Sequence, residues 1–195
     1  DVAEANDIQL TGSVHIQVDS ALIDPVSETS WLSKLVPAGI PSAIVGYVDL
    51  TKEDAEAVLE RHLSFPKFRG VRQIIGMLEQ RPDLSFTTEN LLRNSQWQEN
   101  FALLKKHRLS FDLQLYPEQM TESADFLRDF PEVPVVIDHA GCPYDQSESG
   151  LQLWMNGLAS LAELPNLHIK LSGFGMYDRD WSSESTQLIF DPILE

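Results

Sequence analysis

Residues 111–116 read FDLQLY and residues 167–172 read LHIKLS. In the first run Phe111, Leu113 and Leu115 alternate with Asp112, Gln114 and Tyr116; in the second Leu167, Ile169 and Leu171 alternate with His168, Lys170 and Ser172. Strict alternation over six residues is the pattern of a β-strand with one face on an apolar layer and the other on a polar space. An earlier run repeats it, with Val14, Ile16 and Val18 opposing His15, Gln17 and Asp19. Strands are accordingly expected at 13–19, 43–50, 68–75, 111–116, 134–139 and 167–172.

Amphipathic stretches separate these runs. The Thr51-x-x-Asp54 spacing predicts a capped helix start, after which Ala55, Val58, Leu59 and His62 recur at helical spacing. Trp97, Phe101 and Leu104 form a second such face, and Leu151, Trp154, Leu158 and Leu161 a third. A βαβα order implies a parallel sheet with helical crossovers, either an open doubly wound sheet of the flavodoxin type or a barrel. Strands covered by helices on both faces read as continuously apolar. The polar faces seen here favour the α/β class with a (β/α)8 TIM barrel.

Strand starts near 14, 44, 68, 111, 134 and 167 recur about every 31 residues. Eight such units need about 245 residues, close to the typical barrel length of about 250. Residues 1–195 are therefore expected to form a single domain holding about six of eight βα units, the central part of a barrel. Residues 1–10 would be the tail of a first helix, and a seventh helix would begin near Ser185. An incomplete barrel leaves two unpaired sheet edges, so the chain reads as a fragment lacking first and last strands and inactive in isolation.

Composition narrows the partners. The 195 residues hold 14 Lys and Arg against 30 Asp and Glu, a net charge of −16. Such a surface repels nucleic-acid phosphates and anionic membranes, and a small-molecule substrate is the expected partner, with homo-oligomerisation open. No apolar run approaches the length of a membrane span. A lone Cys142 permits neither an internal disulfide nor a C-x-x-C zinc site, which points to a reducing, cytoplasmic setting.

The candidate chemistry lies at strand ends, where barrel enzymes place their functional groups. In Ile137-Asp138-His139-Ala140-Gly141-Cys142-Pro143 an apolar strand ends in an acid and an imidazole. His139 can polarise a carbonyl, hold a metal or carry a proton near neutral pH, or it can be a strand-end His satisfied by backbone. Arg72, inside a strand, needs an anion: a substrate carboxylate, or a structural partner such as Asp49 or Asp112. Lys170 poses the same choice. Gln17 and Asp19 face a pocket on the first strand, Gln114 and Tyr116 on the fourth, and Ser172 on the last, all able to bind a polar ligand. His15 is expected to be hydrogen-bonded in the core, His62 and His107 structural or exposed, and Glu28 a helix-terminal charge. Gly-rich phosphate loops, nucleophile elbows and H-E-x-x-H motifs are absent from the sequence.

Taken in order, Ser13-Val14-His15-Ile16-Gln17, Glu28-Thr29-Ser30-Trp31-Leu32, Gly46-Tyr47-Val48-Asp49-Leu50, Gly70-Val71-Arg72, Val136-Ile137-Asp138-His139-Ala140-Gly141 and Lys170-Leu171-Ser172-Gly173 resemble one family. They are similar to the amidohydrolase-related (amidohydrolase 2) TIM-barrel hydrolases, in the branch of sugar-acid lactonases and pyrone dicarboxylate lactonases. The resemblance implies hydrolysis of a lactone or related carbonyl ester by water, with a histidine or a divalent metal such as zinc polarising the carbonyl. It puts His139 in the place of the family's late-strand histidine and Arg72 in that of its mid-barrel arginine. Asp19 stands where relatives often carry Glu. The family's first-strand H-x-H pair and last-strand Asp have no counterpart in these residues, and His139 alone cannot make a three-ligand metal site. A metal-dependent decarboxylase of the same superfamily and a non-catalytic partial-barrel binding protein are the alternatives.

Overall fold

The computed structural model describes residues 9–18, 24–35 and 41–194. Among them six parallel strands form one sheet: β1 (Val14–Ile16), β2 (Ala43–Gly46), β3 (Phe68–Ile74), β4 (Ser110–Gln114), β5 (Val135–Ile137) and β6 (Leu167–Ile169). Their spatial order is their order in the chain, and every neighbouring pair is parallel. A doubly wound sheet reverses direction at a switch point, with helices on both faces. Here nothing reverses. With crossovers of one hand, all helices fall on the same side of the sheet, and the sheet curls into part of a (β/α) barrel.

The helices are α1 (Ser27–Ser33), α2 (Ala55–Leu63), α3 (Ser95–His107), α4 (Pro117–Leu127), α5 (Glu148–Ala162), α6 (Phe174–Tyr177) and α7 (Ser183–Leu194). The expected seventh helix is α7; the expected helical tail at 1–10 lies largely outside the described residues. The core sits between the outward strand faces and these helices. Trp97 and Phe101 of α3 pack edge-on against Phe111 of β4, with ring centres 6.0 and 5.1 Å away. Trp97 also donates from Nε1 to Gln73 Oε1 on β3 at 3.0 Å. The odd-numbered side chains of β4 thus point to the helices, as the alternation requires, and Asp112 and Gln114 point inward.

Three local expectations are corrected. The strands end earlier than the apolar alternation does: β2 stops at Gly46, yet Val48 and Leu50 are fully buried, because they plug the end of the core after the backbone has left the sheet. Leu50 N accordingly finds Gln73 Oε1 at 3.0 Å in place of a strand carbonyl. The Thr51 hydroxyl does not cap α2; it donates to Asp49 at 2.7 Å, and Asp54 occupies the N-cap position without a side-chain bond. On β1 the outward Val14 is 59% exposed, β1 being an edge strand of the described sheet.

Candidate active site

The inward faces of β3 to β6 bring four charges together. Register sets Arg72 beside Asp112, and Ile137 beside Ile169, so that Asp138 and Lys170 follow at one level. Lys170 Nζ contacts the Asp112 carboxylate and lies 2.6 Å from Asp138 Oδ1. Arg72 Nη1 reaches Asp138 Oδ2 at 3.4 Å, and its Nη2 donates to the Gln17 carbonyl at 2.8 Å. Asp112 and Asp138 are 2% and 1% exposed, so two buried carboxylates are matched by two cations. Burial pushes the Asp112 carboxyl above its ordinary range, and the Lys170 ammonium pulls it back.

Arg72 and Lys170 were each open to a substrate or a structural partner, and both have protein carboxylates. For Arg72 the partner is Asp138, neither Asp49 nor Asp112; Asp49 is occupied by Gln73 Nε2 at 2.9 Å and by Thr51. Gln17 and Gln114 are buried, Gln114 on the inward face beside this group. Asp19 lies outside the described residues. β4 ends at Gln114; Tyr116 is buried at the N-cap position of α4, and its hydroxyl donates to Leu84 O at 2.6 Å. Burial holds that phenol up to about 12. His15 meets Glu28 at 2.9 Å, so Glu28 joins α1 to β1 and is more than a helix-terminal charge.

Beyond Asp138 the backbone takes a turn that the sequence hardly announces. His139, Ala140, Gly141 and Cys142 have φ of 52°, 54°, 74° and 52°. Four successive left-handed residues, three of them with a Cβ, are costly for L-amino acids. The turn is held by Ala140 N donating to Lys170 O (2.9 Å), Cys142 N donating to His139 O (2.9 Å), and Trp154 Nε1 donating to Ala140 O (2.7 Å). Only Gly141 hinted at it in the sequence; Trp154 read simply as a core residue.

This turn presents the imidazole. His139 Nδ1 lies 3.2 Å from Ser172 Oγ, and among the described residues Nε2 has no hydrogen-bond partner. Gly173, at φ 81°, packs so closely that a Cβ there would come within 2.7 Å of His139 Cβ. His139 and Ser172 line a crevice with Gln146, Tyr177, Asp178 and Trp181, none of which was anticipated from the sequence. Burial holds His139 below the ordinary histidine range, against the opposing pull of Asp138, so the ring is neutral at neutral pH.

A family model of the amidohydrolases matches residues 29–195. The chain belongs to the amidohydrolase family. Among curated relatives of this amidohydrolase, the uncharacterized protein y4mH of Sinorhizobium fredii is 35% identical over 94% of the chain and 62% of its own length. L-fucono-1,5-lactonase of Burkholderia ambifaria is 32% identical over 78% of the chain and 46% of its own length. A crystal structure of an amidohydrolase from Burkholderia multivorans with bound zinc superposes with a TM-score of 0.77 at 22% identity, covering 99% of this chain and 66% of that one. A probable 2-pyrone-4,6-dicarboxylic acid hydrolase from Acinetobacter baumannii, with citric acid bound, gives 0.53 at 14% identity over 99% and 79%. These superpositions establish the barrel fold. The amidohydrolase chain spans about half to two thirds of the length of the curated relatives it matches.

A zinc site of the catalytic type takes three protein ligands. Among the described residues no group of three His, Cys, Asp or Glu side chains is placed to hold a metal, and the interior carboxylates are engaged by Lys170 and Arg72. The described residues of this amidohydrolase do not by themselves fit such a site. None of its described helices is long and apolar enough to cross a membrane.

Proposed function

We propose that this chain carries part of the active site of a hydrolase that opens a lactone or related carbonyl ester of a small, sugar-derived or carboxylated substrate. The observation that carries the reading is the His139 imidazole: neutral, fixed through Nδ1 by Ser172, and with Nε2 unpartnered among the described residues at the C-terminal end of a barrel strand. The family and the lactonase name of the Burkholderia ambifaria relative support the same chemistry.

With Nδ1–H donated to Ser172 Oγ, Nε2 carries the lone pair. Water attacks the carbonyl carbon, and its proton passes to Nε2. The ring C–O bond then breaks, and the departing oxygen takes that proton to give the hydroxy acid. Arg72 and Lys170 act on the site indirectly, by holding Asp138 and hence the start of the His139 turn. A divalent metal of the kind bound in the Burkholderia multivorans amidohydrolase would need ligands additional to His139.

The test is a pH-indicator assay on the full-length protein with sugar-acid lactones and pyrone lactones, with and without added zinc. Ring opening that falls about 100-fold or more in His139→Gln is expected, within the usual range for removing a general base. Failure to open any lactone under either condition would overturn the reading.

A further inference from the structure

We infer that Trp154 is a positioning residue for His139, acting through the left-handed turn. The distance between them in sequence hides the connection. Trp154 lies on the second turn of α5, fully buried, and donates its indole N–H to Ala140 O at 2.7 Å. Ala140 is the residue directly after His139 and sits at φ 54°, ψ 23°, where a residue with a Cβ is disfavoured. A left-handed residue of this kind persists only where its surroundings over-determine it.

Two bonds fix the two peptide units that flank the Ala140 Cα. The Ala140 N–H is taken by the carbonyl of Lys170, directly after β6, and the Ala140 C=O by Trp154 on α5. Both groups are buried, so neither bond is replaced by water if the turn relaxes. The His139 ring follows from this anchoring. With φ at 52°, its side chain leaves the backbone toward Ser172 and the crevice, against the flat surface left by Gly173. A relaxed turn, with His139 and Ala140 at negative φ, would carry the imidazole elsewhere and break the Nδ1 contact with Ser172. Trp154 thus contributes to the site without touching it, and the indole nitrogen, more than the ring, is the part that matters.

The inference rests on the proposed role of His139 only where turnover is read; the position of the imidazole can be read without it. Trp154→Phe in the full-length protein keeps an aromatic ring and deletes the donor. Where Phe leaves the protein unfolded, benzothienylalanine at position 154 replaces N–H by sulfur at nearly constant shape. Imidazole 15N and 13C spectra, with His139 assigned by its loss in His139→Gln, are expected to show the His139 signals shifted or broadened. The His62 signals, from a remote part of the core, should be unchanged. For a lactone that the wild type opens, kcat should fall about 100-fold, the scale of a misplacement of about 1 Å, with KM within a factor of about three.

The deciding variant is the double change Trp154→Phe with Ala140→Gly. Glycine adopts positive φ without strain, so the turn should reform without the indole bond. Both the His139 spectrum and kcat are expected to return to within about threefold of the wild type. A tryptophan that merely fills space would not be rescued by removing a methyl group at residue 140. Unchanged His139 signals in a folded Trp154→Phe or benzothienylalanine protein would overturn the inference, as would absence of rescue. If the wild type opens no lactone, the proposed function fails and the spectra alone decide the role of Trp154.

Discussion

Lys170 Nζ lies 2.6 Å from Asp138 Oδ1, across the boundary between β5 and β6, while the same ammonium contacts Asp112 on β4. One side chain thereby ties three consecutive strands on the face away from the helices. Removing it leaves two buried carboxylates to a single guanidinium. Lys170→Met should destabilise the protein by about 3–5 kcal/mol, the range for breaking a buried pair on one side. The Lys170→Met, Asp112→Asn double variant should recover part of that loss. Urea unfolding monitored by tryptophan fluorescence measures both, and a midpoint unmoved in Lys170→Met would show that the ring of charges does not join the strands.

The same pairing bears on substrate charge. Both inward cations are matched by protein carboxylates, and the whole chain carries −16. A neutral sugar lactone should therefore be opened with kcat/KM at least about tenfold above that of its carboxylated analogue, one such factor being only about 1.4 kcal/mol. The comparison is made at low ionic strength, where a preference for the carboxylated ring would reveal an unmatched cation at the mouth.

Gly173 faces His139 so closely that Gly173→Ala cannot be accommodated in place, and its φ of 81° disfavours a Cβ in any case. The variant should lose about 1–3 kcal/mol of stability and displace the imidazole. Thermal unfolding gives the first quantity; loss of lactone turnover beyond what the lower stability explains gives the second.

Ser172→Ala removes the partner of His139 Nδ1 at 3.2 Å. A hydrogen bond of net worth about 0.5–1.5 kcal/mol corresponds to a kcat lower by roughly 2–13-fold, with both neutral tautomers then populated. An unchanged rate together with an unchanged tautomer in 15N spectra would show that the contact does not orient the ring.

His62 supplies a prediction about acid stability. It is fully buried, with Nε2 donating to Tyr47 O and Nδ1 at Thr29 Oγ1, each at 3.0 Å, and its ring stacks on Phe68. Burial holds its pKa below the ordinary 6.5. The unfolded chain therefore binds a proton that the native protein refuses, and stability rises with pH across the interval between the two values. The contribution is fully present above about pH 6.5 and is lost as pH falls through the depressed native value. Thermal midpoints between pH 7.5 and 5 should show this slope in the wild type and a shallower one in His62→Phe.

All six strands were legible in the sequence, because side-chain alternation survives wherever one face meets helices and the other does not. Their ends were not: Val48 and Leu50 keep the apolar rhythm after the backbone has left the sheet, so burial there imitates pairing. Of the candidate site, the strand-end place of His139, the inward parity of Gln114 and Lys170, and the need of Arg72 for an anion could be read. The partner of Arg72 could not, since parity gives the face a side chain is on and not which acid it meets across the sheet. The left-handed turn was barely visible for a further reason: Ala140 and Cys142 have no local preference for positive φ, and what holds Ala140 comes from Trp154 and Lys170, 14 and 30 residues further along the chain.

The order β1 to β6 in space repeats the order of synthesis. Each strand's partner on one side has already left the ribosome when the strand emerges, with only a connecting segment between them. At about 5–20 residues per second, a unit of about 31 residues appears every 2–6 s or so, far longer than a helix or hairpin-sized element needs to form. The sheet can therefore grow from one end by adding a strand to a waiting edge. The exception is the group of charges: Arg72 on the third strand must wait for the carboxylate that follows the fifth, and Asp112 for the lysine after the sixth. Until Lys170 arrives, two acids face one another without their shared cation, so among β1 to β6 the locking of the interior follows steps that are all between neighbours.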